Sequence, residues 1–330
     1  MFNRDEVKLM VHAARLYYEN DLTQEMIASR MNLTRQKVSR LLIEARAQGI
    51  VRIKIYDPFT TDQGLAENLK TLFGLREVIL IAGEGLENDQ IRSGIGLAAA
   101  QYLQNIFQDG QRVGIGWGRT LFAAISSLNS PLHKQIQVVP LIGGIGNLPP
   151  FFQVNDLARR LAESFGGTYH SLYAPAFIED QAVLNSLMRT DEITRTIELW
   201  KCLDIAVVGV GHVEFQQISS MFFAEHISPP MLADLEANGV VGDICARFFD
   251  GAGRHISSGT GVIGMNLEQL KAVPEVIAIA GGMEKVRAIY GALQGGYIKT
   301  LVTDTVTASA ILAAVRDLVI DSKGGVQGDQ

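Results

Sequence analysis

Beyond residue 76 the sequence alternates short apolar runs with amphipathic segments, and this alternation strongly constrains the fold. The apolar runs have the length of β-strands, whereas the segments between them, such as residues 91–106, carry apolar residues at helical spacing. Such alternation predicts an α/β fold with a doubly wound, mostly parallel sheet that helices cover on both faces. The predicted strands are residues 77–82, 112–115, 136–141, 167–172, 205–210, 246–248, 276–280 and 300–303.

The length and the distribution of charge indicate two domains. At 330 residues the chain is longer than one typical core, and a composition of 47% hydrophobic and 19% charged residues excludes a disordered protein. Residues 1–55 hold ten lysines and arginines against six acids, although the whole chain has a net charge of −6. A basic N-terminal module on an acidic body is typical of an attached nucleic-acid reader.

Cysteine content and hydropathy point to the cytoplasm. The only cysteines, Cys202 and Cys245, both lie in apolar sequence, so we expect buried thiols rather than a disulfide framework or a metal site. The N-terminal residues lack the apolar centre of a signal peptide, and no apolar run approaches the ~20 residues of a membrane span. We therefore expect a soluble cytoplasmic protein that does not enter a membrane.

Residues 23–42, TQEMIASRMNLTRQKVSRLL, have the pattern of two short helices joined by a tight turn. Ala28 permits the second helix to cross closely, and Asn32 tolerates the left-handed backbone of a sharp turn. Val38 and Leu41 are three residues apart and face inward together. With a preceding helix at residues 5–19, this pattern predicts a helix-turn-helix.

Cap residues and a short alternating segment complete a winged helix-turn-helix. Asp21 is predicted to cap the second helix, and Thr34 is predicted to cap the third helix at residues 35–47. Gly49 follows as a C-terminal stop. Residues 51–55 then alternate apolar and basic side chains, which predicts a wing strand.

The outer face of the third helix is polar and basic, as a major-groove recognition helix requires. Arginine matches guanine and glutamine matches adenine through paired hydrogen bonds, whereas hydroxyl and lysine side chains suit phosphates. A helical cap or a dimerisation module is the alternative interpretation of three amphipathic helices. The predicted contacts with double-stranded operator DNA are Thr34, Arg35, Gln36, Lys37, Ser39, Arg40 and Arg52.

Several motifs resemble the SorC family of bacterial sugar-responsive transcriptional regulators, which includes deoxyribonucleoside-type and central-glycolysis-type repressors. The resemblance begins with LTQEMIASRMNLTRQKVSRLLIEARAQGIV and continues through GIGWGRTL, VVPLIGG, LYAPA, GDICARFFD and GGMEKVRAIYGALQGGYIKTLVTDTVTA. It implies a DNA-binding regulator of a carbohydrate operon, a tetramer built from dimers, and a large domain that resembles sugar-phosphate isomerases and deaminases. We accordingly expect a winged helix-turn-helix at 1–56, a linker at 57–62 and an effector-binding and oligomerisation domain at 63–330.

Glycine-rich turns after the predicted strands are the candidate effector site. Glycines at a strand-to-helix turn let backbone amides approach an anion, although the same glycines can serve turn geometry alone. An acid and a base accompany them; Asp243, which the resemblance also implies, could accept from sugar hydroxyls or cap a turn, and Lys285 could meet a phosphate or lie in solvent. His212 is equally consistent with a structural role. The candidates are Gly116, Gly118, Arg119, Thr120, Gly143, Gly144, Gly209, Gly211, His212, Asp243 and Lys285.

The effector is expected to bind reversibly, without a cofactor or metal. Some family members are implied to carry a lysine or arginine before the glycine pair of VVPLIGG, where this chain has Ile142. This difference disfavours covalent aldehyde capture and bisphosphates, and favours a sugar, polyol or monophosphorylated sugar.

Two other functions fit parts of the sequence. An isomerase or deaminase would need acid–base groups, for which Asp204, Asp243, His212 and Lys285 are candidates. The turn VGVGHVEF, however, lacks the aspartate that the deaminases are implied to place before it, so we predict no catalytic residue. A constitutive DNA-binding scaffold is the third possibility.

Overall fold

The computed structural model describes residues 4–20, 22–48, 50–51, 62–128, 133–146, 149, 152–213 and 228–324. The chain divides into two compact units, Met1–Tyr56 and Asp57–Gln330, which are described separately. Asp21, Gly49, Arg52 and the predicted wing strand beyond residue 51 lie outside the described residues.

The described part of the N-terminal unit contains three helices: α1 (Arg4–Tyr18), α2 (Gln24–Met31) and α3 (Arg35–Ala47). The turn between α2 and α3 is the one that the sequence predicts, because Asn32 adopts φ 52° and ψ 46° and its N–H bonds to the carbonyls that end α2. Ala28, Val38 and Leu41 are buried in the core of this unit. The helix-turn-helix prediction is therefore confirmed.

One predicted cap in this unit is wrong. The N-cap of α2 is Thr23, whose hydroxyl accepts from the N–H of Met26, and not Asp21. The predicted cap of α3 is confirmed, since the hydroxyl of Thr34 accepts from the N–H of Lys37 at 3.2 Å. Threonine immediately before the first helical residue reaches the first-turn amides, whereas a residue two positions earlier lies outside the cap position.

A seven-stranded parallel sheet is the centre of the large unit. Its strands are β1 (Glu77–Ile81), β2 (Arg112–Ile115), β3 (Gln137–Pro140), β4 (Thr168–Tyr169), β6 (Ile205–Val208), β12 (Glu275–Ile279) and β13 (Thr300–Asp304), with β5 (Phe177–Ile178) outside this sheet. Their order across the sheet is β1-β13-β12-β6-β2-β3-β4, and each paired neighbour is parallel. The predicted fold class is confirmed.

Helices cover both faces of this sheet, as its two-sided hydrophobicity requires. Ile205 and Val207 of β6 belong to one hydrophobic cluster, and the intervening Ala206 and Val208 belong to the other. The described helices are α4 (Gln63–Phe73), α5 (Asn88–Ile106), α6 (Arg119–Ser126), α7 (Val154–Ser164), α8 (Gln181–Leu187), α9 (Asp191–Glu198), α10 (Pro229–Ala237), α11 (Leu267–Ala272), α12 (Val286–Gln294) and α13 (Thr305–Gly324). Side chains of α5, α6 and α7 fill one cluster, whereas those of α4, α12 and α13 contribute to the other.

The strand predicted at 246–248 is wrong in its bounds and in its sheet. Ala246 instead lies in a tight turn, with positive φ at both Cys245 and Ala246, between two antiparallel strands. These strands belong to a separate sheet of β7 (Gly211–His212), β8 (Val240–Ile244), β9 (Arg247–Asp250) and β10 (His255–Ile256). A further small sheet pairs β5 with β11 (Gly261–Val262). The residues on both sides of the turn are buried and mostly apolar, so the sequence pattern gives no sign of the turn between the two strands.

The two cysteines differ in their exposure. Cys245 is buried, as predicted, but Cys202 is exposed at the end of a 3-10 turn, so the prediction of a second buried thiol is wrong. Across the described helices, none combines the length and hydropathy needed to cross a bilayer.

Candidate functional site

A cavity opens at the carboxyl ends of the parallel strands. From β2 the chain continues outward through β3 and β4, whereas from β6 it continues in the opposite direction through β12 and β13. The cavity lies between β2 and β6, where the order of strand addition reverses, and open α/β sheets bind ligands at this switch point. Its walls are Asn88, Arg92, Ile95, Trp117, Gly118, Arg119, Thr120, Leu121, Gly209, Val210, Gly211, His212, Asp243, Cys245, Gly281, Glu284 and Lys285.

The loop after β2 contributes a helix N-terminus to this cavity. Gly118 is the N-cap of α6, with φ 138°, and as a glycine it has no side chain to cap the first-turn amides. That backbone angle favours glycine, and the first-turn amides of a helix carry partial positive charge. Arg119 and Thr120 continue the same wall. This wall is suited to an anion or to a sugar oxygen.

The hairpin of β8 and β9 contributes the acid. Asp243 is buried, and its Oδ2 accepts from the N–H of Ala246 at 3.0 Å, so it also stabilises the tight turn. Gly211 pairs with Asp243 across the small sheet, and a Cβ on Gly211 would overlap the Asp243 carboxylate. Glycine is therefore required beside this acid.

Lys285 contributes the base from the end of a 3-10 turn, Met283–Lys285. Its Nζ donates to the carbonyl of Val210 at 3.0 Å. Burial lowers the pKa of Lys285 to about 8 and raises the pKa of Asp243 to about 6. Burial also lowers the pKa of Arg119, and nearby Arg92 adds to this decrease. An anion would relieve the repulsion among these three cations.

Four residues from outside the predicted set add polar groups or aromatic surface. Asn88 and Arg92 come from the start of α5, Glu284 precedes Lys285, and Trp117 stacks on Phe177 with ring centroids 6.5 Å apart. Arg92 pairs with Asp89 at 2.6 Å. The helix after β1 must also begin at the carboxyl edge of a parallel sheet, and that rule could have identified the α5 residues.

Three predicted glycines do not line the cavity. Gly116 bonds to Val207 through its N–H at 3.0 Å, and a Cβ at Gly116 would meet the Cys245 sulfur at 3.4 Å. Gly143 and Gly144 donate instead to the carbonyls of Ile263 and Ala174. These positions allow close packing of backbone segments. The remaining predicted residues, Gly118, Arg119, Thr120, Gly209, Gly211, His212, Asp243 and Lys285, share the cavity.

Five of the predicted DNA-contacting residues lie together on α3. Arg35, Gln36, Lys37 and Arg40 are exposed, and Ser39 is partly exposed, opposite the buried face of Val38 and Leu41. Thr34 is exposed at the N-cap, where its hydroxyl already accepts from Lys37. The first turn of α3 contains no acid, so Arg35 and Lys37 oppose the helix dipole without compensation from that turn. A phosphate near this terminus would stabilise the arrangement.

We expect Asp243→Asn to stabilise the fold in a pH-dependent manner. The pKa of Asp243 in the folded protein, about 6, exceeds the ordinary value of 3.8. The folded state of the wild type therefore becomes less stable relative to the unfolded state as pH rises from about 4 to 6. Asparagine stays neutral and keeps an oxygen for the Ala246 amide. Urea unfolding measures the free energy of unfolding of the variant minus that of wild type. This difference should be about 2–3 kcal/mol larger at pH 7.5 than at pH 4.

Asp250→Asn is the matched control of opposite sign. Asp250 is also buried, but hydrogen bonds from Arg254 outweigh its burial and hold its pKa below the ordinary value. The Asp250 carboxylate therefore stabilises the fold above its unfolded pKa, and this stabilisation is lost in acid. Relative to wild type, Asp250→Asn should become less stable as pH rises towards 7.5. The same pH trend in both variants would contradict the assignment.

Comparison with known proteins places this geometry in a family. Residues 57–313 match Sugar-bind, a sugar-binding domain family. The chain is 32% identical to the sorbitol operon regulator of Klebsiella pneumoniae, covering 94% of this chain and 100% of that protein. It is also 32% identical to the deoxyribonucleoside regulator of Bacillus subtilis, covering 94% of this chain and 99% of that protein.

A solved structure shows the same architecture. The crystal structure of the full-length sorbitol operon regulator SorC from Klebsiella pneumoniae superposes with a TM-score of 0.73 and 32% identity, covering 94% of this chain and 100% of that one. The switch-point cavity and the helix-turn-helix thus occur in a chain that matches these regulators along nearly its whole length. The chain belongs to the SorC-type family of bacterial transcriptional regulators that carry a sugar-binding domain.

Proposed function

We propose that this protein regulates transcription of a carbohydrate-utilisation operon, binding operator DNA through α3 and a sugar effector in the switch-point cavity. The observation that carries the proposal is the composition of the cavity, in which Arg92, Arg119 and Lys285 face the same space as Asp243 and His212. Cations and amides recognise a phosphate, whereas a carboxylate and an imidazole recognise hydroxyl groups.

A phosphorylated sugar fits this composition best. The N-terminus of α6 and Lys285 supply donors to one end of such a ligand, and Asp243 supplies an acceptor for hydroxyls. Ile142 is fully buried and bridges to Gly264, so it offers neither an amine nor a second cation to the effector. We therefore infer a reversibly bound monophosphate, with an uncharged sugar or polyol as the alternative.

We infer that the cavity senses its ligand rather than converting it. The relatives are named as regulators, and the chain carries its own helix-turn-helix. Asp243 is engaged by the Ala246 amide and Lys285 by the Val210 carbonyl, roles that hold the site in shape. Incubation with a panel of sugar phosphates should yield no product; turnover near ordinary enzyme rates of about 10 per second would favour an isomerase-like enzyme.

We also infer that the protein acts as a homodimer or a tetramer. A helix-turn-helix reads half-sites spaced by helical turns, which requires two reading heads. An effector that binds the two arrangements of these heads with different affinity would change operator binding.

The direct test is a competition between DNA and effector on the full-length chain. We expect fluorescence anisotropy to detect tight binding to a duplex selected from a random library, and some sugar phosphate to change that affinity. Arg40→Ala should weaken DNA binding about tenfold while the effector-induced rise in melting temperature persists. Loss of that thermal response in Arg40→Ala, or no response of wild type to any sugar or sugar phosphate, would contradict the proposal.

A further inference from the structure

Arg35 and Glu25 form an ion pair between the two helices of the helix-turn-helix. Arg35 is the first residue of α3, and Glu25 lies in the first turn of α2. The Nε of Arg35 lies 2.8 Å from Oε1 of Glu25, although 69% and 61% of the two side chains are exposed. In the described part of the chain, no other hydrogen bond or ion pair involves the Arg35 guanidinium.

The fold does not need this pair. An exposed ion pair contributes little to stability. The two helices are already joined through buried contacts, because Ile27, Ala28, Val38 and Leu41 share one core. The larger consequence of the pair is that it restricts a long and flexible side chain.

Helix caps fix the backbone on which the two partners lie. The hydroxyl of Thr23 caps α2, the left-handed Asn32 ends it, and the hydroxyl of Thr34 caps α3. Both first turns are therefore anchored, and the distance between Glu25 and Arg35 is set by helix packing. An ion pair on such a frame can orient a guanidinium plane.

Chemistry assigns a direction to the restricted side chain. A guanidinium has five N–H donors in a planar fork, and Oε1 of Glu25 lies 2.8 Å from Nε, the donor nearest the backbone. The two terminal amino groups lie beyond Nε at the end of an exposed side chain, and no ion pair among the described residues other than that with Glu25 involves them. Guanine presents O6 and N7 in the major groove as two acceptors that such a fork matches.

We propose that Glu25 is a positioning residue for DNA reading, which holds Arg35 so that its two terminal amino groups meet one guanine end-on. The inference rests on the proposed DNA-binding function and adds a specificity determinant to it. Glu25 also repels phosphates, so the pair lowers affinity for arbitrary sequences while it favours one base pair. Its signature is a change in discrimination rather than in overall affinity.

The test uses the full-length chain and a duplex that the wild type selects from a random library. Affinity is measured by fluorescence anisotropy for this duplex, for each of its single base-pair variants and for a scrambled duplex. In Glu25→Ala, the ratio of selected to scrambled affinity should fall about tenfold, with equal or tighter binding of the scrambled duplex. The loss should fall on the same G·C pair at which Arg35→Ala loses discrimination. The double variant should lose no more than Arg35→Ala alone.

Two variants separate positioning from charge. Glu19→Gln removes one negative charge from an exposed site in the same unit, and should change binding of both duplexes alike. Glu25→Gln keeps an oxygen acceptor for Nε and should lose less discrimination than Glu25→Ala. Equal shifts for both duplexes in Glu25→Ala, or loss at a different base pair, would overturn the proposal. A wild-type chain that enriches no sequence would instead disprove DNA reading itself, and the inference with it.

Discussion

Replacing Asp304 with alanine is expected to lower the free energy of unfolding by about 3 kcal/mol. Asp304 is completely buried at the end of β13. Its carboxylate accepts from the N–H of Gly282 at 3.2 Å, and from the N–H and hydroxyl of Thr307 at 2.8 and 2.5 Å. Alanine would leave the N–H and the hydroxyl of Thr307 without their acceptor, at a cost of about 1–3 kcal/mol for each that stays unsatisfied. The N–H of Gly282 would keep the Thr307 hydroxyl as an acceptor at 2.8 Å. Urea unfolding of the two proteins measures the difference.

Thr303→Val is the matched control next to Asp304. Thr303 is equally buried, but its hydroxyl has no hydrogen-bond partner among the described residues. Valine has nearly the same shape, so this variant should be neutral or slightly stabilising. If Asp304→Ala were as stable as Thr303→Val, the carboxylate would not be holding the Gly282 loop.

Replacing Lys285 with methionine is expected to weaken effector binding about 100-fold while leaving operator affinity unchanged. The ammonium group lies in the cavity with Arg92 and Arg119, and a charge-assisted hydrogen bond to a phosphate would be lost with it. Methionine retains the length of the side chain and removes a cation whose pKa burial already lowers to about 8. Calorimetric titration with the sugar phosphate that acts on wild type measures the loss.

Lys271→Met is the control for the loss of one lysine charge. Lys271 lies on α11, does not line the cavity, and is paired with Glu268 at 4.0 Å. The Lys271→Met variant should bind the effector with the same affinity as wild type. If both variants lost affinity equally, or if Lys285→Met kept it, Lys285 would be removed from the site.

The local pattern of residues predicted the elements that depend on short-range chemistry. Residues 35–47 form a helix with the predicted bounds, and residues 112–115 form the predicted strand. Asn32 adopts the left-handed turn because its short side chain tolerates that backbone. The capping error between Asp21 and Thr23 is also local, because two oxygen-bearing side chains competed for one helix end.

Long-range contacts decided the composition of the site. Gly118, Gly143 and Gly144 all follow predicted strands, yet only Gly118 of these three lines the cavity. The difference depends on strand order, because β2 lies at the point where the sheet reverses whereas β3 lies one position outward. No spacing in the sequence encodes that order.

The sequence alone thus determined the family, the helix-turn-helix and the alternation that builds the parallel sheet, since caps, turns and periodicity act over a few residues. Only the tertiary structure brought Arg92 from α5 to Lys285, buried Asp243 in a hairpin turn and joined Glu25 to Arg35. These groups are distant in sequence or separated by a turn, and their distances follow from how strands pair and helices pack. The pKa values of Asp243 and Lys285 depend on the same burial, which is a property of the folded chain.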